Sequence, residues 1–197
     1  RGTGTHHFAV TDVFVPAERT VLSATAKLLE EGPLYKIPRT LAFASGDAAV
    51  ALGMARACLD TFVELAGAKT PRAMQALLRD QSMVQVGVGQ AEAALRSGRA
   101  FLMETVRDIW GEATAGAVSL ERRATLRLAT THGIRLAAQV IDTVYNAAGA
   151  TAAYEGHLIQ RHFQDIHVIT QHLQGRMAQY ELVGRHWLGL PIDQDRL

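Results

Sequence analysis

Apolar residues recur along most of this chain with a helical period. Between about Thr40 and Ala66, Leu41, Ala48, Ala55 and Phe62 fall seven apart, with Ala44, Leu52, Leu59 and Ala66 beside them. From about Asp80 to Trp110 the row Val84, Ala91, Gly98, Thr105 interleaves with Val88, Leu95, Leu102, Ile109, a heptad pair held over four repeats. One row is small and the other large, so a neighbouring helix can approach closely on one side. A third helix opens at Ser119 and ends near Gly149. Ile134, Ala138, Ile141, Tyr145 and Ala148 make one of its stripes; Leu126, Ala129, Leu136, Val140 and Val144 make another, which demands contacts on both sides. A fourth helical pattern covers about Leu158 to Leu188, with a bend or break near Gly175.

The front of the chain reads differently. His6, Phe8 and Val10 alternate with other residues, and Val13, Phe14 and Val15 run into Pro16, which predicts strand over residues 5–22. So short a stretch is marginal as an isolated hairpin, so it needs a partner sheet from outside the chain. Residues 23–38, closing on Gly32-Pro33 and Pro38, read as a linker. Short joints between long helices favour antiparallel neighbours. The predicted fold is therefore mainly α: an up-down four-helix bundle over residues 39–190, preceded by a short β segment at 1–22 and followed by a tail at 191–197. The surplus apolar face of the third helix predicts a homo-oligomer.

Composition narrows the function classes. A formal net charge of +1 without a Lys/Arg cluster argues against a nucleic-acid partner. No apolar run approaches the ~18 residues of a membrane span, and no signal peptide leads the chain, so a cytoplasmic location is expected. Cys58 stands alone in an apolar stripe, which predicts a buried, reduced thiol. The start at Arg1 reads as the interior of a domain, so the chain is expected to be the C-terminal portion of a longer protein.

Chemistry concentrates in Leu158 to His172, LIQRHFQDIHVITQH, which carries His162, His167 and His172. Histidine titrates near neutrality. Neighbours five apart on a helix point about 140° from one another, whereas a helical metal pair needs spacings of three or four, so the three imidazoles serve different surfaces and no metal site is expected.

Three segments, in order, resemble the acyl-CoA dehydrogenase fold of flavoproteins and together cover the chain. RGTGTHHFAVTDVFVPAER is similar to the end of its middle β-domain, the helices to its C-terminal bundle, and NAAGATAAYEGHLIQRHFQDIHVITQH to the section that approaches the flavin from a neighbouring subunit. On this resemblance residues 1–22 are a remnant of the middle β-domain. The dehydrogenase branch has an Arg-Asp-Ala-Lys step followed by a Tyr-Glu-Gly-Thr segment whose glutamate removes a proton in several branches. Counting from Asp165, that place holds His172-Leu173, without a carboxylate; Tyr154-Glu155-Gly156 falls before the step. The Arg-x-x-Phe-Gly flavin motif is absent as well.

The Asp-Ile-His-x-x-Thr-Gln-His pattern instead resembles the reduced-flavin-dependent hydroxylase branch. The resemblance implies reduced FMN or FAD supplied by a separate flavin reductase, O2, an aromatic or polycyclic small-molecule substrate, and a homotetramer. It implies His172 as the catalytic group and His167 beside the flavin or at the subunit interface. Asn146 and Gly149 match a glutamine and a glycine that meet the flavin across the interface, while the same two positions also read as a helix end with a capping glycine. Two other functions stay open on sequence: an FAD-dependent acyl-CoA dehydrogenase with its base elsewhere, and an oligomerisation bundle without activity.

Overall fold

The computed structural model describes residues 6–22, 26–27 and 29–197. The chain divides into two units, Arg1–Glu31 and Gly32–Leu197. In the first, the described residues carry no strand. Pro16 turns the backbone into a short 3-10 turn, Ala17–Arg19, in which Arg19 N–H donates to the Pro16 carbonyl and Thr20 Oγ1 to the Ala17 carbonyl, each at 2.9 Å. The β segment predicted over residues 5–22 is thus not formed among the described residues. Phe8, Val10, Val13 and Phe14 are exposed. An alternating pattern describes a strand only when a neighbouring strand satisfies its N–H and C=O groups, and there is none among the described residues.

The second unit is helical. A single turn, α1 (Pro33–Lys36), lies inside the predicted linker. It leads to α2 (Arg39–Ala68), α3 (Ser82–Ala115), α4 (Leu120–Ala148), α5 (Leu158–Gln171) and α6 (Ala178–Trp187). Ser119 caps α4, its Oγ accepting from Arg122 N–H at 3.2 Å, and its own N–H donates to Glu112 Oε2 at 2.9 Å across the joint from α3. Among the described residues no helix is long and apolar enough to cross a membrane.

Cross-helix contacts fix the directions. Arg56 pairs with Glu92 and Leu52 lies at Gly98, so α2 and α3 run antiparallel. Asp108 pairs with Arg122 and Gly87 lies against Thr143, so α3 and α4 do too. Tyr145 stacks on Phe163 and Arg135 bonds Thr170, which makes α4 and α5 antiparallel. The up-down order follows. Every predicted row position of α2 is buried. The small row of α3 also explains itself: a Cβ at Gly98 would stand 2.6 Å from Leu136 Cδ2, so glycine there admits an α4 leucine.

Helix α4 is the centre of the bundle and packs against α2, α3, α5 and α6, while α2 also packs against both α3 and α5. Its second apolar face, which predicted an oligomer, is therefore consumed inside the chain. The tail docks as well: Leu197 is buried with Ala124, Leu182 and Val183, and Arg123 Nε donates to the Leu197 carbonyl at 3.1 Å. The fourth predicted helix breaks between His172 and Met177 into α5 and α6. The reason lies at Gly175, where a Cβ would meet the Ile169 carbonyl oxygen at 2.9 Å and Ile134 Cγ2 at 3.0 Å.

Candidate functional site

His172 is the C-cap of α5. Its N–H donates to the Ile169 carbonyl at 3.0 Å and its carbonyl accepts from Gly175 N–H at 2.9 Å. The turn that carries it is pinned from α4. Arg135 donates to the Gly175 carbonyl at 2.6 Å and the Thr170 carbonyl at 3.3 Å, and Thr131 Oγ1 donates to the Gln174 carbonyl at 3.1 Å. Beneath it Arg127, 2% exposed, donates to the buried Gln174 side chain; burial, and then nearby Arg196, push its guanidinium down to about 10. The His172 side chain is itself 57% exposed, with Nδ1 3.1 Å from Asp47 Oδ2 of α2. An exposed imidazole thus stands on a fixed backbone.

His167 faces α4, not α2. Its Nε2 lies 2.9 Å from Asp142 Oδ1, and its ring meets the edge of Phe163 at 4.6 Å, which in turn stacks on Tyr145 at 4.1 Å. The pair borders an open groove of about 650 Å³ with Arg135, Gln139, Gln171 and Tyr180. Burial pushes the Tyr180 phenol up, partly offset by the Arg135 charge. His162 Nδ1 is sealed without a hydrogen bond, and burial pushes this ring down. The three histidines do serve different surroundings.

Asn146 and Gly149 sit at the C-terminus of α4. The Asn146 amide is exposed and donates to the Asp142 carbonyl at 2.8 Å, which leaves its oxygen for another partner. Asn146 also borders a second cavity, of about 470 Å³, with Phe62, Gln81, Met83 and Val86. Gly149 has φ +59°, and a Cβ there would find no atom nearer than Lys69 Nζ at 4.0 Å. Its backbone is open to close approach, and any side chain would be strained. Lys69 closes this end, donating to the Ala148 carbonyl at 2.7 Å and Thr151 Oγ1 at 2.8 Å.

The four predicted residues are spread along the antiparallel α4–α5 pair, with His172 at the C-terminal end of α5 and Asn146 and Gly149 at the C-terminal end of α4. Helix α5 has 14 residues, a length of about 21 Å at 1.5 Å per residue, and its C-terminal end carries His172. His167 lies between these two ends: Asp142, which meets its ring, also accepts the Asn146 amide through its carbonyl. Asp47, Asp142, Arg135 and Lys69 were not singled out from the sequence. Each acts on a residue of another helix or loop, and no local spacing announces such a pairing. Among the described residues no group of three or more His, Cys, Asp or Glu could hold a metal ion.

Residues 45–176 match the family described as acyl-CoA dehydrogenase, C-terminal domain. The indole-3-acetate monooxygenase of Pseudomonas putida is 35% identical over 190 residues, covering 95% of this chain and 48% of that protein. The flavin-dependent monooxygenase oxygenase subunit HsaA of Rhodococcus jostii (strain RHA1) is 29% identical over 202 residues, 98% of this chain and 53% of that one. The crystal structure of 3-HSA hydroxylase from Rhodococcus sp. RHA1 has a TM-score of 0.76 at 25% identity, covering 84% of this chain and 44% of that chain. The chain spans about half the length of the curated relatives it matches. With its helical bundle and a match across all of α3 to α5, this chain belongs to the acyl-CoA dehydrogenase C-terminal domain family.

Proposed function

We propose that this chain is the C-terminal bundle of a two-component flavin-dependent monooxygenase that hydroxylates an aromatic or polycyclic small molecule, with reduced FMN or FAD delivered by a separate reductase. The carrying observation is His172: an exposed imidazole on a pinned turn at the end of α5, where the dehydrogenase branch keeps a carboxylate. The similarity to an indole-3-acetate monooxygenase and to a flavin-dependent monooxygenase oxygenase subunit supports it.

The residues present fit a flavin. Asn146 offers an exposed amide oxygen and Gly149 a backbone without a side chain, beside the Lys69 ammonium. When bound, the reduced flavin supplies the electrons that activate O2. The protein's part is positional and protonic: His172 can donate a hydrogen bond to an oxygen in the site or accept the proton of a phenol, because a neutral imidazole carries one donor and one acceptor nitrogen. His172 at the C-terminal end of α5 and Asn146–Gly149 at the C-terminal end of α4 lie at opposite ends of an antiparallel helix pair, which favours an arrangement in which one copy contributes the His172 end and its neighbour the Asn146–Gly149 end, hence a homo-oligomer, proposed as a tetramer. Residues 1–22 then belong to the edge of a β-domain, and the assembly works in the cytoplasm.

Anaerobic titration with reduced FMN and reduced FAD, followed by O2 and indole-3-acetate as the aromatic probe, tests this. The expected result is binding of a reduced flavin and formation of a hydroxylated product. His172→Ala should keep the flavin and lose product by about a hundredfold or more. A folded chain with no affinity for either reduced flavin would overturn the reading.

A further inference from the structure

We propose that Asp47 is a positioning residue for His172, holding its imidazole as the Nδ1–H tautomer so that Nε2 is the ring atom presented to substrate or cofactor. The inference rests on His172 being the catalytic group.

The first observation is a carboxylate oxygen that needs a donor. Asp47 Oδ2 is sealed from solvent and has no hydrogen bond, although the side chain as a whole is partly exposed. A buried carboxylate oxygen without a partner is costly, and native structures keep few of them. His172 Nδ1, 3.1 Å away, lies within ion-pair distance but outside hydrogen-bonding angles, so a small turn of the ring completes the bond. Nor does Asp47 serve its own helix. The positions three and four residues to either side are Phe43, Ala44, Val50 and Ala51, which carry no charge, and the next cation along α2, Arg56, is engaged by Asp60 and Glu92.

The second observation is that the backbone of the turn is already fixed by Arg135 and Thr131. Rotation of the His172 side chain is the freedom left, and Asp47 is placed to remove it. Orienting an imidazole through its second nitrogen fixes both the tautomer and the ring plane. The third is a contrast within α5: Asp142 holds His167 by Nε2, whereas Asp47 meets His172 by Nδ1. The two rings are thereby held as opposite tautomers, which makes each the control for the other.

Long-range proton–nitrogen NMR correlations on the chain labelled with 15N-histidine, recorded at about pH 8.5 where ordinary imidazoles are neutral, read both rings without any flavin. The expected spectrum has His172 mainly as Nδ1–H and His167 mainly as Nε2–H. Asp47→Ala should move the His172 tautomer ratio by about tenfold, the scale of one hydrogen bond to a charged group, and leave His167 unchanged. Asp47→Asn, which keeps an acceptor oxygen, should restore part of the shift. A wild-type His172 mainly in the Nε2–H form would overturn the proposal whether or not the variants fold. So would an Asp47→Ala spectrum identical to wild type. An Nδ1–H His172 in a chain that binds neither reduced flavin would uphold the role of Asp47 and remove only the oxygenase reading.

Discussion

At the scale of single residues, burial sets the titration of groups that take no part in the proposed chemistry. Cys58 is wholly enclosed in the α2 interface, and burial raises its thiol from 9.0 to about 12. The folded chain therefore keeps a proton that the unfolded chain loses above pH about 9. Stability contributed by the neutral thiol is complete below that pH and is lost as pH rises from about 9 towards 12, at up to ~1.4 kcal/mol per unit. Tyr180, raised by its own burial, acts in the same direction, so the informative quantity is a difference. Urea unfolding of wild type and Cys58→Ala between pH 7 and 10.5 should show the variant weaker by about 1 kcal/mol at neutrality, from the lost sulfur contacts. The gap should narrow, then reverse, as pH rises. Parallel pH profiles would show that Cys58 ionises freely in the folded chain.

At the scale of elements, two glycines with crowded surroundings carry opposite expectations. A Cβ at Gly98 meets the far end of Leu136, a side chain that can rotate away, and alanine gains helix propensity in the middle of α3. A Cβ at Gly175 meets the Ile169 carbonyl and the Thr170 Cα, which are backbone atoms of the turn beneath His172. Thermal unfolding should place Gly98→Ala within about 1 kcal/mol of wild type and Gly175→Ala lower by about 1–3 kcal/mol. Equal losses would mean that the turn adjusts as readily as a leucine rotamer. The same elements show what the sequence could reveal. The heptad rows of α2 and α3 report burial directly, because every seventh position meets the same neighbour. Gly175 was legible as a bend, since a glycine in a helical run marks one. The strand expected over residues 5–22 is not formed among the described residues, because alternation is necessary for a half-buried strand and insufficient without a partner. In the proposed site, His172 is an expectation drawn from the local Thr-Gln-His pattern. Asp47 and Asp142 were not legible, because their roles exist only once α5 packs against α2 and α4.

At the scale of the whole molecule, assembly of copies has to rest on surfaces that the bundle leaves open. The spare face of α4 is covered by α5 and α6, so it no longer asks for a second copy. What asks for one is the placement of His172 and Gly149 at opposite ends of the antiparallel α4–α5 pair, together with large apolar side chains that the chain leaves in solvent. Met83 and Val86 stand exposed one turn apart on α3, at the cavity that Asn146 borders. Exposed apolar groups clustered beside a polar contact are the ordinary composition of an interface core and its rim. If this face meets a neighbouring copy, burying it completes the Asn146–Gly149 end of the site at the same time. Size-exclusion light scattering at micromolar concentration should then report four copies of 21.3 kDa, about 85 kDa. Met83→Asp with Val86→Asp replaces exposed side chains only, so helicity should persist while the mass falls to a dimer or monomer. Reduced-flavin affinity should fall with it if a neighbour's Asn146–Gly149 end helps hold the cofactor. A wild-type chain of 21.3 kDa that still binds reduced flavin would instead place the whole of that contact within one copy.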